Sequence, residues 1–376
     1  MLQARGSRTA TGGPIGVPTR GARVLARRVG RARPPLTTRL GAALGLGTLL
    51  LAGCHAETTR PASFAEAVRA KPDVTIVVTD SGLGGLSVVA ELARQLPGSG
   101  IARSARIVFV NALLDDAIGY NDLKNRSDKL RVFDAALDAM EGRYHPDLIL
   151  VACNTLSVLY DDTRHARAPG PEVVPIVGMG ADLIARTLDA HPGGTAVLFG
   201  TKTTIDAGSH KALLVAKGYP ADRIVGEACP RLTGAIERGA DSDETKAAIR
   251  RFVAEAIAKL PKEPGPLVVS LNCTHFGYAR DVWKRTFAEL GYPGVTVIDP
   301  NPLMTEQTLR EGGERRYPRT KVTVEVVSKP PIGPDVQVPL GKLLRTVSPE
   351  TADALARYQH VPDLFSVAID PSAVAR

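Results

Sequence analysis

From residue 74 onward the chain alternates short β-branched apolar runs with longer amphipathic stretches. VTIVVT at Val74–Thr79 predicts a buried strand, and DSGLGGLSVV after it predicts a glycine-rich turn entering a helix over Leu86–Leu96. RIVFV at Arg106–Val110 predicts the next strand, and the stretch Ser127–Met140 a helix capped by Ser127. Further strands are predicted at Asp147–Ala152, Val173–Val177, Thr195–Gly200, Leu267–Leu271 and Val295–Asp299, the last clear one. Strands alternating with helices mean an α/β fold with mainly parallel sheets.

The pattern repeats. Cys153 ends a strand 73 residues after Asp80, and Cys273 stands near a strand end 72 residues after Thr201. Asp80 and Thr201 each follow the first strand of their set. The expected fold is therefore two related three-layer α/β domains facing each other across an active-site cleft. Open α/β sheets place ligands at the carboxyl ends of their strands, so Asp80, Cys153, Thr201 and Cys273 are expected in one cleft.

Charge changes the picture at the N-terminus. A net +8 over 376 residues suggests a nucleic-acid binder, but residues 1–53 hold nine arginines, no lysine and no acid. The rest carries −1, so no basic binding face is expected and nucleic acid is excluded as a partner. The arginines precede an apolar run, Leu40–Gly53, that is too short to span a bilayer comfortably. Leu51–Cys54 reads LAGC, which looks like a bacterial lipobox with Cys54 as the lipidated residue. The expectation is an exported lipoprotein, held to a membrane by lipid on Cys54. Residues 1–53 would be its signal peptide and 54–72 a tether. A first domain would span 73–178 and a second 179–299, with 300–376 returning to the first as an extended tail.

With Cys54 set aside, Cys153, Cys229 and Cys273 remain, an odd number that excludes a disulfide framework. No CxxC or HExxH spacing is present, so no metal is expected. DSGLGG lacks the lysine and hydroxyl of a phosphate-binding loop. Cys153 in VACNTLS and Cys273 in LNCTHFG each follow an apolar run and precede a small polar residue. A thiolate is both nucleophile and base, and a helix N-terminus after each strand would lower its pKa. Two opposed proton-transfer groups suit racemisation. One removes a Cα proton from one face, and the other returns a proton to the opposite face.

These residues resemble glutamate racemases, in the cofactor-independent aspartate/glutamate racemase family. TDSGLGGLSVV resembles the family's N-terminal motif, VACNTLS its first cysteine motif and LNCTHFG its second. VPIVG, FGTKTTI and ACPRLTGAIERG follow in the family's order, so the resemblance covers roughly Val74 to Asn301. It implies that Cys153 and Cys273 are the paired acid and base, with Asp80 activating Cys153. His275 would activate Cys273, supported by Glu237. Ser81, Asn154, Thr155 and Thr274 would hold the α-amino and α-carboxylate groups. Neither pyridoxal phosphate nor metal is implied, and a homodimer is the candidate assembly. His275 favours the glutamate branch over the aspartate branch. Three features depart from the family. GYN at Gly119–Asn121 replaces a PYG motif that contacts substrate, which makes Tyr120 and Asn121 candidates for that contact. The tail after Asn301 is long, and the leader implies export.

Plainer readings stand beside these. A lone strand-end cysteine is usually a core residue, and Cys229 keeps that reading. Asp80 and His275 could cap turns, Glu237 could sit on a solvated helix face, and Tyr120 could be packing. The rivals to a glutamate racemase are a racemase of aspartate or another amino acid, and a lipoprotein that binds an amino acid or peptidoglycan fragment without catalysis.

Overall fold

The computed structural model describes residues 63–116 and 118–375. The leader, Cys54 and the start of the expected tether lie outside the described residues. The strands in chain order are β1 (Asp73–Asp80), β2 (Ser104–Asn111), β3 (Leu148–Val151), β4 (Glu172–Pro175), β5 (Thr195–Gly200), β6 (Ile224–Ala228), β7 (Leu267–Asn272), β8 (Thr296–Ile298), β9 (Lys321–Ser328) and β10 (Gln359–His360). They form two sheets, ordered β10-β9-β2-β1-β3-β4 and β6-β5-β7-β8. Every pairing within the sheets is parallel.

Strand order fixes where a ligand can sit. From β1 the chain runs through helix Leu86–Ser99 to β2 on one side, then through helix Arg126–Tyr144 to β3 on the other. The strand order reverses there, and the crevice opens between the carboxyl ends of β1 and β3. The second sheet repeats the device: β6 lies on one side of β5 and β7 on the other. This explains the near-equal spacings of 73 and 72 residues. Asp80 and Cys153 flank one reversal point, and Thr201 and Cys273 flank the other.

Both sheets are buried on both faces, which is why their strands read as continuous apolar runs. In the first sheet Ile76, Val78, Ile107 and Phe109 pack toward helix Leu86–Ser99, while Val77, Val108, Val110 and Ile149 pack toward helix Arg126–Tyr144. In the second, Phe199 and Val269 share a core with Trp283 and Phe287, and Ala196 and Val268 share another with Ile184 and Leu214. Each sheet is thus the middle layer of three.

The structure revises several expectations. The helix expected at Ser127 begins at Arg126, so Ser127 lies inside it, and Asn125 at its N-cap makes no side-chain cap bond. The segment after 300 adds a strand to the first sheet, and all eight residues of β9 pair with β2, from Ser104↔Lys321 to Asn111↔Ser328. The expected tether is also shorter. Phe64–Ala70 is a helix with a Ser63/Glu66 capping box, and Phe64 is fully buried in the first core. Arg316 donates to the carbonyl of Val68, tying that helix to the tail.

Candidate active site

Asp80 ends β1 as a buried carboxylate. Its Oδ2 accepts from the Gly85 N–H at 2.6 Å and from the Thr274 hydroxyl at 2.7 Å. The second bond joins the two lobes across 194 residues of sequence. Gly84 permits that approach. A Cβ there would lie 2.6 Å from His275 Nδ1 and 2.7 Å from the His275 backbone nitrogen. Gly82 and Gly84 therefore make room for His275 of the second lobe.

Cys153 follows β3 at the N-cap of helix Asn154–Tyr160. Its Sγ lies 3.1 Å from Ser81 Oγ. The helix start does pull the thiol down, through the Leu156 N–H, but this pull is outweighed. Burial pushes the thiol well above its ordinary value, and the negative charge of Asp80 pushes it further, against the opposing hydrogen bonds from Ser81 and Leu156. Asp80 thus accepts from Thr274 and Gly85 and adds negative charge near the Cys153 sulfur.

Cys273 follows β7, and the chain then enters a short 3₁₀ turn, Phe276–Ala279, before helix Arg280–Glu289. No regular α-helix starts at this thiol among the described residues. Its partner is His275, with Nδ1 at 3.7 Å from Sγ. His275 Nε2 meets Glu237 Oε1 at 2.7 Å. Burial works against charge on this imidazole, but Glu237 and Cys273 more than offset it and hold the pKa well above the ordinary value.

Further bonds close the lobes around these groups. Thr155 and Thr201 share a hydroxyl contact at 2.8 Å. Asn121 Oδ1 accepts from the Thr203 N–H at 3.1 Å, and Lys129 donates to the Thr203 hydroxyl at 2.7 Å. Between them lies a cavity of about 270 Å³, a volume suited to a small ligand. All twelve cleft residues named from the sequence line it: Asp80, Ser81, Tyr120, Asn121, Asn154, Thr155, Thr201, Glu237 and His275, with Cys153, Cys273 and Thr274. Among the described residues, the buried Asn154 finds no hydrogen-bond partner for its Nδ2 or its Oδ1, and the buried Tyr120 hydroxyl has none either. Buried orphan groups are costly, so a pair of them beside two thiols marks a place where a polar ligand is accommodated. Cys229 lies outside the lining, packed in the core of the second sheet.

Sequence reasoning missed other lining residues, among them Leu113, Asp122, Arg231 and Thr233. Arg231 had a findable signal, since it stands inside the ACPRLTGAIERG segment. Its backbone is unusual, with φ 64° and ψ 0°. That left-handed conformation costs a residue with a Cβ about 1–3 kcal/mol. A larger cavity of about 520 Å³ lies elsewhere, lined by Asp182, Arg186, Asp189, Lys217, Glu306 and Arg310 among others, but no cysteine or histidine lines it. Size alone does not locate the chemistry.

Residues 76–308 match the family described as Asp/Glu/Hydantoin racemase. The chain is 28% identical over 229 residues to a glutamate racemase of Desulforudis audaxviator, covering 60% of this chain and 74% of that one. Among solved structures, the glutamate racemase of Francisella tularensis in complex with D-glutamate superimposes with a TM-score of 0.55 at 18% identity, over 73% of this chain and 95% of that one. The glutamate racemase of Thermus thermophilus in complex with β-chloro-D-alanine gives 0.53 at 22%, over 81% and 100%. At these identities the structural likeness shows the shared two-domain α/β fold.

Proposed function

The chain belongs to the Asp/Glu/Hydantoin racemase family as a glutamate racemase-like amino-acid racemase, and we propose that it interconverts L- and D-glutamate by proton transfer between Cys153 and Cys273. One observation carries the reading: each lobe brings one thiol, at equivalent strand ends, to a single cavity. In one direction the first sulfur, as thiolate, takes the Cα proton. The electron pair left on Cα delocalises into the α-carboxylate, and the second thiol protonates the opposite face. Turnover leaves the two sulfurs with exchanged protons, ready for the reverse direction. Asn154, Thr155, Thr274 and Ser81 supply the neutral donors and acceptors for the α-ammonium and α-carboxylate. His275, charged and held by Glu237, exchanges a proton with Cys273. Asp80 positions Thr274.

The test is circular dichroism of purified protein with L-glutamate, D-glutamate and both aspartates, run in parallel in D₂O to follow deuterium at Cα. Loss of optical activity from both glutamates, with deuterium entering the product, supports the reading. Unchanged glutamate with racemised aspartate would move the protein to the aspartate branch, and no exchange on any of them would leave the non-catalytic binder.

We also infer from LAGC that Cys54 carries lipid and that the enzyme works outside the cytoplasm. Cys54→Ala should release the protein from the membrane fraction or leave it unprocessed. Full-length wild-type protein found soluble in the cytoplasm would end this part of the reading.

A further inference from the structure

We propose that Arg231 is the specificity-determining residue of the cleft, reading the side-chain carboxylate of a dicarboxylic amino acid. The proposal rests on the racemase reading of the cleft and names the class of substrate it takes.

Charge leads to Arg231. The groups assigned to the α-ammonium and α-carboxylate, Ser81, Asn154, Thr155 and Thr274, are all neutral. Two basic side chains line the cavity, Arg231 and His275. His275 is already paired with Glu237 and set beside Cys273. Arg231 makes no hydrogen bond or ion pair among the described residues, and it is exposed at the cleft. A free, planar, permanently charged guanidinium suits two-point recognition of a carboxylate.

The surroundings agree. Asn121 lines the same cavity, and its Oδ1 is taken by the Thr203 N–H, so its –NH₂ is the donor that remains. Asp122 also lines the cavity, and its Oδ2 already accepts from the Gly119 N–H at 2.8 Å. The backbone adds an independent point. Among described non-glycine residues, positive φ occurs at His145 and Arg231. His145 closes helix Arg126–Tyr144, an ordinary place for it. Arg231 instead stands between the buried anchors Cys229 and Leu232, with the Cys229 N–H bonded to the Gly200 carbonyl at 2.8 Å. Glycine or asparagine would adopt this conformation more readily, so the arginine is not there for local backbone preference.

The experiment compares Arg231→Asn, which tolerates positive φ and removes the charge, with Arg231→Lys, which keeps a charge but loses the fork. Glutamate racemisation is followed by circular dichroism. Binding of glutarate, a dicarboxylate that cannot racemise, is followed by calorimetry. Losing one charge-assisted contact should raise KM for glutamate about 10- to 100-fold in the asparagine variant, with kcat changing far less. Glutarate affinity should fall in parallel, and lysine should restore part of both. Thermal unfolding should show the asparagine variant folded, so that a loss is not misread. An Arg231→Asn enzyme with wild-type KM and wild-type glutarate affinity overturns the proposal, as does wild-type protein that does not bind glutarate. Wild-type protein that binds glutarate through Arg231 but does not racemise glutamate refutes the racemase reading and leaves the role of Arg231 standing.

Discussion

The two halves of the cleft share a topology and differ in electrostatics. Around Cys153 the contacting group is neutral, Ser81 at 3.1 Å, and burial and the Asp80 charge push the thiol up. Around Cys273 the contacting group is ionic, His275 held by Glu237 at 2.7 Å. A repeated fold thus delivers two sulfurs to equivalent positions, and only their neighbours separate them. For a two-base racemase this difference separates the two directions, since each begins with the proton on the opposite sulfur. At any moment one sulfur must hold a proton and the other must lack one. A cleft with identical halves would supply no preference.

The largest test removes one half at a time. Cys153→Ser and Cys273→Ser should each lower racemisation about 10²- to 10⁴-fold while the protein stays folded, read by circular dichroism of substrate and of the polypeptide. Near-wild-type turnover in either variant would remove the two-thiol mechanism.

The next test erases the ionic half. Glu237→Gln should lower kcat/KM roughly 10- to 100-fold and shift the basic limb of its pH profile downward, because His275 then loses its proton at lower pH. Stability should follow the same linkage. His275 has a raised pKa in the folded state, so its contribution is complete below the ordinary imidazole value of about 6.5. It is lost as pH rises through the raised value. A pH profile of thermal stability identical in wild type and Glu237→Gln would contradict this account.

A third substitution pushes the halves apart. Gly84→Ala places a methyl against His275 and Thr274, and such overpacking costs about 1–3 kcal/mol. It should lower the unfolding midpoint and cut activity about tenfold, since proton transfer is sensitive to small misplacements. An alanine variant with unchanged activity would show that the lobe contact does not position the thiols.

The smallest effect is expected in the neutral half. Ser81→Ala removes one neutral hydrogen bond to the Cys153 sulfur, so a loss of only about 3- to 10-fold is expected. If it cost more than Glu237→Gln, the assignment of the ionic half as the more dependent one would be reversed.

Much of this is legible in the sequence alone. The strands around the cleft announce themselves as β-branched runs, and Asp80, Cys153 and Cys273 stand at or just beyond their ends. β6 and β9 were missed for a physical reason. β6, IVGEA, holds a glycine and a glutamate, and the first half of β9 alternates exposed with partly buried positions, so neither reads as a core strand. The helix Phe64–Ala70 was read as tether because its caps are local but its burial depends on the distant Arg316 and Glu172.

The sequence by itself determined the strands around the cleft, the repeat, the two thiols and the residues set beside them, because each rests on short-range patterns or on their recurrence along the chain. Only the tertiary structure decided the partners. It bound Asp80 to Thr274, raised the Cys153 thiol instead of lowering it, and brought Arg231, which has no polar partner among the described residues, to the cleft. Desolvation and charge pairing act over a few ångströms, between residues up to 194 positions apart here, and chain order carries no record of that distance.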